Sequence, residues 1–337
     1  MQTINEALAK AKSILEEGGV IGLPTETVYG LAARIDIPSA IEKIFTTKER
    51  PFFDPLIVHV SSIEQAKKVT AFWGPASQAL AEAFWPGPLT LILPRDPSIN
   101  LMITAGLDSV GIRMPNHPIA QALLQDVGVP LAAPSANKFG RTSPTSAGHV
   151  RVEFKDENVF VVDGGDCQIG IESTVLLVKH REKVELSILR RGHILKSDIE
   201  RVLQEKGFQF EFIEQVDKRE SPGHMKHHYM PPVPLIVCAD HQRSPESILK
   251  EVNEKLNELP DEIESIRIIK PQGGIHSYAV LQLSQDPLLA TREFYGKLRE
   301  VANQGPDSIL FYREPQHSGE RWESLFDRLN KAASLIL

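Results

Sequence analysis

The stretch Val20-Ile21-Gly22-Leu23-Pro24-Thr25-Glu26-Thr27-Val28-Tyr29-Gly30-Leu31 constrains the fold more than any other part of the chain. It opens with an apolar run fit for a buried strand, breaks at Pro24, and sets three polar side chains in a row before apolar residues resume. The pattern predicts a strand that turns a sharp corner into a helix. Such a corner leaves backbone N–H groups without partners at the positive end of a helix dipole, where α/β proteins hold anionic ligands. The same residues also suit a plain helix N-cap, with Thr25 as the cap and Glu26 in the first turn. Both readings can hold at once.

Strand ends with small polar or basic clusters recur along the chain. Residues 55–60 read as a strand that delivers His59. Residues 109–114 read as a strand carrying Arg113, and an arginine in an apolar β stretch needs a partner: a structural ion pair, or a carboxylate or phosphate to clamp. Residues 129–133 read as a strand that ends in Pro134-Ser135-Ala136-Asn137, with Ser135 and Asn137 on one face, followed by Lys138, Arg141 and Thr142. Ser173 precedes a strand over 175–178, and a strand over 185–189 ends in Arg190-Arg191-Gly192. In Lys48-Glu49-Arg50-Pro51 the proline favours an extended Arg50, which would turn Lys48 and Arg50 to the same side. Each cluster has a bland counterpart: solvated charges for Lys48 and Arg50, a structural histidine for His59, a surface turn after Asn137.

Helices are expected over 3–17, 38–46, 62–69 (with Ser61 and Glu64 as a capping box), 75–84, 117–126 and 196–206. The sum is an α/β protein with a ligand pocket gathered at one rim of its sheet. Neither GxGxxG nor GxxxxGK[ST] occurs, so any nucleotide is held by other means.

A chain of 337 residues implies about two domains. Its 42% hydrophobic and 24% charged residues are those of a soluble globular protein. No apolar run approaches the ~20 residues of a membrane span, and the first 17 residues are amphipathic rather than signal-like, so a cytoplasmic location is expected. Two distant cysteines, Cys167 and Cys238, with no CxxC pair, argue against a disulfide framework or a thiolate zinc site. The net charge of −7 disfavours stable nucleic-acid binding but leaves room for a local basic pocket.

Residues 217–234 have four prolines and a linker's composition, yet they carry three histidines, Lys226 and Tyr229. A metal site there is disfavoured because no acidic or cysteine residue stands among the histidines of 224–228. Beyond them, strands over 235–237, 266–269 and 309–311 alternate with helices over 244–256, 291–303 and 321–332. That alternation predicts a small parallel sheet folding as its own domain.

Eight motifs together resemble the long-form (Sua5) threonylcarbamoyl-AMP synthases, which share a YrdC-like catalytic domain. They are PTETVYGL at 24–31, KxRP at 48–51, PLIVH at 55–59, WPGPLT at 85–90, GIRxP at 111–115, PSAN at 134–137, GIESTV at 170–175 and SPGxxxxHYxP at 221–231. The later helices resemble the family's C-terminal domain more loosely; its usual GLGxA before the last helix is replaced by Gly319-Glu320-Arg321-Trp322-Glu323. The resemblance implies a YrdC-like twisted mixed sheet with a central concave pocket over residues 1–212. It implies a linker and candidate lid over 213–234, and a smaller Rossmann-like α/β domain over 235–337. It also implies a reaction: L-threonine, bicarbonate and ATP, with Mg²⁺ on the ATP phosphates, give threonylcarbamoyl-AMP and pyrophosphate. The product would pass to the transferase proteins that make t6A in tRNA.

In that reading Lys48 and Arg50 are catalytic and also bind ATP with Ser135, Asn137, Arg190, His228 and Tyr229. Thr27, His59, Arg113 and Ser173 bind threonine. No side chain acts as a metal ligand or becomes covalently attached. The rival readings are a YrdC-like module that binds double-stranded RNA and an ATP-dependent carbamoyl-transfer enzyme with another substrate.

Overall fold

The computed structural model describes residues 3–214, 228–255, 262–263, 266–267 and 273–337. The chain divides into two units, one of residues 1–138 and 144–224, the other of residues 139–143 and 225–337. The predicted linker residues 217–227 lie outside the described residues.

In the first unit the elements are α1 (Ile4–Glu16), β1 (Ile21–Leu23), β2 (Gly30–Arg34), α2 (Pro38–Lys48), β3 (Ile57–His59), α3 (Ile63–Lys67), α4 (Pro75–Phe84), β4 (Leu89–Pro94) and β5 (Ser109–Arg113). There follow α5 (Pro118–Val127), β6 (Leu131–Ala132), α6 (Ala147–Glu153), β7 (Phe160–Val161), β8 (Thr174–His180), β9 (Val184–Arg190), α7 (Lys196–Glu205) and β10 (Phe210–Phe212). The strands form one mixed sheet in the order β10-β9-β8-β4-β5-β3-β6-β2-β1-β7. Its main core packs Ile41, Ile44 and Phe45 of α2 and Leu80 of α4 against Val58, Leu91, Ile112 and Leu176 of the sheet. A second cluster joins Ala11 and Leu15 of α1 to Leu123 and Leu124 of α5 over Ile21 and Leu131.

The corner after Pro24 does not enter a helix. Gly30–Arg34 returns as β2, antiparallel to β1 with Ile21 opposite Ala32 and Leu23 opposite Gly30. The hydroxyl of Thr25 explains the turn, because it donates to the Val28 carbonyl and accepts from the Thr27 and Val28 amides at 3.2 and 3.3 Å. Thr25 makes a cap's bonds, but the apolar residues after it pair with β6, with Ala33 opposite Ala132, instead of coiling.

Two smaller expectations shift. The cap of α3 is Ser62, whose hydroxyl accepts from the Gln65 amide, while Ser61 is bonded to the Gln65 side chain. Helix α2 runs on through Lys48 and ends at Glu49 in the left-handed region, φ 54°, so Lys48 and Arg50 do not share an extended segment.

The second unit holds β11 (Leu235–Cys238), α8 (Pro245–Lys255), β12 (Glu262–Ile263), β13 (Ile266–Arg267), β14 (Tyr278–Val280), α9 (Pro287–Asn303), β15 (Ser308–Tyr312), α10 (Glu320–Ala332) and β16 (Leu335–Ile336). Four of these strands form a wholly parallel sheet, β14-β15-β11-β16. This is the small parallel sheet that the strand–helix alternation predicts, but the strand expected over 266–269 is not part of it: β13 pairs antiparallel with β12 in a separate two-stranded ribbon.

Candidate functional site

Sheet register assembles half of the predicted site. His59 closes β3 directly beside Arg113, which closes the parallel β5. Arg113 lies one step beyond the Leu91–Ile112 pair of β4 and β5, level with Thr90. Thr90 pairs with Val175 of β8, and Val175 with Arg190 of β9. His59, Arg113, Thr90, the Ser173–Val175 segment and Arg190 thus form one line across five adjacent strands. At ~4.8 Å per strand the line is about 19 Å long.

Hydrogen bonds hold this line rigid. Arg190 donates to the Ser173 hydroxyl and to the Ser173 carbonyl, each at 3.0 Å, and the Ser173 and Thr90 hydroxyls are 2.7 Å apart. Arg113 donates to the Thr27 hydroxyl at 2.9 Å and to the Gly87 carbonyl at 3.2 Å, and its Nη2 meets Glu26 Oε1 at 2.7 Å. Both members of that ion pair are buried, with side chains 5% and 4% exposed. The His59 Nδ1 lies 3.1 Å from the Ile57 carbonyl. Burial, then the nearby Arg113 cation, pushes the His59 pKa down to about 3. The ring is therefore neutral at working pH, with its proton on Nδ1 and an acceptor lone pair on Nε2.

Lys48, Ser135 and Asn137 form a second group. Ser135 and Asn137 follow β6, which is antiparallel to β3, so they stand beyond the opposite strand end from His59. The Lys48 ammonium donates to the Ser135 carbonyl at 2.6 Å and to the Asn137 carbonyl. Burial, and secondarily the Arg50 cation, lowers the Lys48 pKa well below its ordinary value. Arg50 pairs with Asp54 at 2.8 Å and donates to the Pro55 carbonyl at 2.9 Å. The expectation of a single rim therefore becomes a line along one strand edge plus a separate anchored cation group. The antiparallel β6 is the reason.

His228 and Tyr229 belong to the second unit. A cavity of about 570 Å³ lined by Phe72, Leu93, Asp108, Lys179 and His180 lies toward the other ends of β4 and β8, and none of the predicted residues lines it.

Three partners escaped the sequence reading. Glu26 is singled out there only as a first-turn acid, and its pairing with Arg113 is invisible at that separation. Asp54 could have been found, because it stands four residues after Arg50. Thr90, inside the WPGPLT stretch, carries no signal of its own beyond that motif.

Gly192 supports the line as well. A Cβ there would lie 2.7 Å from the Ser173 carbonyl carbon and 2.8 Å from the Glu172 carbonyl oxygen. Gly192→Ala is expected to push the Ser173 backbone out of place, lowering stability by about 1–3 kcal/mol. Denaturant unfolding reads the loss of stability and turnover the displacement of Ser173; a variant with parental values for both would show that the backbone yields freely.

The fold and the site define an α/β protein with buried cations and hydroxyls gathered at strand ends, the cations bonded to carboxylates and backbone carbonyls. The sequence profile of the Sua5/YciO/YrdC family, described as telomere recombination, matches residues 13–192. That of the threonylcarbamoyl-AMP synthase C-terminal domain matches residues 194–334. Threonylcarbamoyl-AMP synthase of Bacillus subtilis is 43% identical over 252 residues, 74% of this chain and 70% of that one. The Pyrococcus abyssi enzyme is 35% identical over 301 residues, 89% of this chain and 86% of that one. A crystal structure of P. abyssi Sua5 complexed with L-threonine superposes with a TM-score of 0.80 at 32% identity, covering 99% of this chain and 96% of that one.

The chain belongs to the threonylcarbamoyl-AMP synthase family, and it is an enzyme of that family. Among the described residues no helix is long and apolar enough to cross a membrane.

Proposed function

We infer that the chain is an L-threonylcarbamoyladenylate synthase, a nucleotidyltransferase that condenses L-threonine, bicarbonate and ATP to threonylcarbamoyl-AMP and pyrophosphate for t6A synthesis in tRNA. The observation that carries this reading is the line of His59, Arg113, Ser173 and Arg190 along adjacent strands, with Thr27 bonded to Arg113. Residues 1–212 act as the catalytic domain, 213–234 as the linker and 235–337 as the C-terminal domain, in a cytoplasmic enzyme.

The Arg113 guanidinium, held by Glu26 and Thr27, suits the threonine carboxylate. The neutral His59 ring offers Nε2 to a donor such as the threonine hydroxyl, and Ser173 adds a hydroxyl. Lys48, Arg50, Ser135, Asn137 and Arg190 take the ATP phosphates. His228 and Tyr229 are assigned to the nucleotide on the family resemblance.

The threonine amine attacks bicarbonate, the N–C bond forms and water leaves, giving a carbamate. A carbamate oxygen then attacks the α-phosphorus, and pyrophosphate departs with its Mg²⁺. On the family resemblance Lys48 and Arg50 are assigned to the charge that grows on the leaving group. Catalysis is positioning plus electrostatic stabilisation, and positioning alone can supply about 7–11 kcal/mol. Among the described residues no group of three or more His, Cys, Asp or Glu side chains is placed to hold a metal ion. On the family resemblance Mg²⁺ is assigned to the nucleotide substrate, where it would offset phosphate charge.

Incubation of the pure protein with MgATP, bicarbonate and threonine, omitting each in turn, tests the reading. Pyrophosphate is expected only from the complete mixture. Turnover that ignores threonine would instead favour carbamoyl transfer to another acceptor. An electrophoretic shift of double-stranded RNA at physiological salt, without turnover, would favour a binding module.

A further inference from the structure

Arg328 is an anomaly in the second unit. It lies in α10 with no solvent exposure, the largest of the fully buried side chains. A guanidinium cannot shed its charge, so burial demands partners for it. Its Nη1 meets Asp327 Oδ2 at 3.0 Å and donates to the Ser324 carbonyl at 3.4 Å. Its Cζ also lies 5.9 Å from the centre of the Tyr229 ring, within cation–π range.

Tyr229 is itself unusual. Its backbone sits in the left-handed region, φ 66°, which a non-glycine residue keeps only when its surroundings over-determine it. The surroundings do so within the same unit. The neighbouring His228 amide donates to the Lys331 carbonyl of α10 at 2.9 Å, and the Met230 amide to the Gly140 carbonyl at 2.8 Å. The Thr142 hydroxyl donates to the Tyr229 carbonyl at 3.2 Å, and the ring of Tyr295 in α9 stands 5.7 Å from the Tyr229 ring. The His228 and Tyr229 rings lie 4.2 Å apart, edge to face.

We propose that α10 is the anchor of the His228–Tyr229 segment, and that Arg328 is a positioning residue that fixes the Tyr229 ring for the nucleotide. The kinetic half of this proposal rests on the assignment of Tyr229 to ATP made above. The anchoring half does not. The C-terminal domain thereby gains a task in the reaction: it holds Tyr229 of the linker in a left-handed backbone conformation that the residue would not keep alone. Asp327 completes the device by pairing with both Arg328 and Lys331, the latter at 3.1 Å.

Two measurements separate the halves. In the full chain, Arg328→Met is expected to speed hydrogen exchange of the His228 and Met230 amides at least about tenfold, a loss of roughly 1.4 kcal/mol of local stability. The amides of β11 and β15 report that the unit remains folded, and Arg328→Lys, which keeps the charge, is expected to give a smaller increase. Unchanged exchange at His228 and Met230 overturns the anchor. If Arg328→Met melts β11 and β15, the Arg328→Lys variant decides by the same amides.

The second measurement is ATP-dependent pyrophosphate release by Arg328→Met, Tyr229→Leu and the double variant. Each single change is expected to raise KM for ATP about tenfold with a smaller effect on kcat, and the double variant to be no worse than Tyr229→Leu. Multiplying effects would mean that Arg328 does not act through Tyr229. A parental KM in Tyr229→Leu would remove Tyr229 from the nucleotide site while leaving the exchange result to judge the anchor.

Discussion

Glu26→Ala is expected to destabilise the first unit by about 3–5 kcal/mol, because it strips the charge partner from the buried Arg113 guanidinium. Arg113→Ala should cost a similar amount by stranding the carboxylate, whose Oε2 already lacks a hydrogen bond among the described residues. The double replacement Glu26→Leu with Arg113→Met removes both charges and fills similar volume. It is expected to recover most of the lost stability, since buried ion pairs exchange for apolar contacts at little net cost. Activity should not recover with it: the threonine carboxylate would face a methionine, and a lost charged hydrogen bond of about 1.5–3 kcal/mol corresponds to a rise of at least tenfold in KM for threonine. Chemical denaturation and threonine titration of the three variants make the comparison. Single variants that unfold like the parent would show that water screens the pair. A double variant with parental threonine KM would remove Arg113 from the site.

That pair also marks where sequence reading stops. Arg113 is recognisable as needing a partner because it sits in an apolar strand, but any of 44 acidic residues could supply one. The choice of Glu26 depends on the Thr25 turn folding its loop onto the end of β5. The sequence points to a helix at that turn, since Thr25 makes the bonds of a helix cap, while the following residues pair as β2. A local signal and a long-range ladder compete there, and the ladder with β1 and β6 prevails.

Asp54 shows the opposite case, a partner four residues from Arg50 and so within reach of local spacing. Most helices and strands were legible because their apolar periodicity is strong. The short α6 and the two-residue β16 owe their existence to neighbours in the fold. The line of site residues became visible only when register placed five strand segments from distant parts of the chain at one level.

His59 predicts a second large effect, on acid stability. Its folded-state pKa lies near 3, because a buried ring beside Arg113 resists a positive charge, against an ordinary value of 6.5. Above the ordinary value the ring is neutral in folded and unfolded chains alike, and His59 contributes no pH dependence. As the pH falls from 6.5 toward 3, only the unfolded chain takes up the proton, so the unfolded state gains and folding stability is lost across that window. Below about 3 both states are charged and the loss levels off. The full window corresponds to roughly 5 kcal/mol, and the part between pH 6.5 and pH 4 to about 3 kcal/mol.

His59→Asn keeps a donor for the Ile57 carbonyl but cannot titrate. It is expected to be less stable than the parent at neutral pH, yet to lose about 3 kcal/mol less on going to pH 4. His117 and His180 are also held below their ordinary values by burial, and they act equally in both proteins, so the difference isolates His59. Stability curves that fall in parallel would mean that the folded His59 ring accepts a proton. It could then no longer present a permanent Nε2 acceptor to the threonine hydroxyl, and the specificity for that side chain would have to come from Thr27 and Ser173.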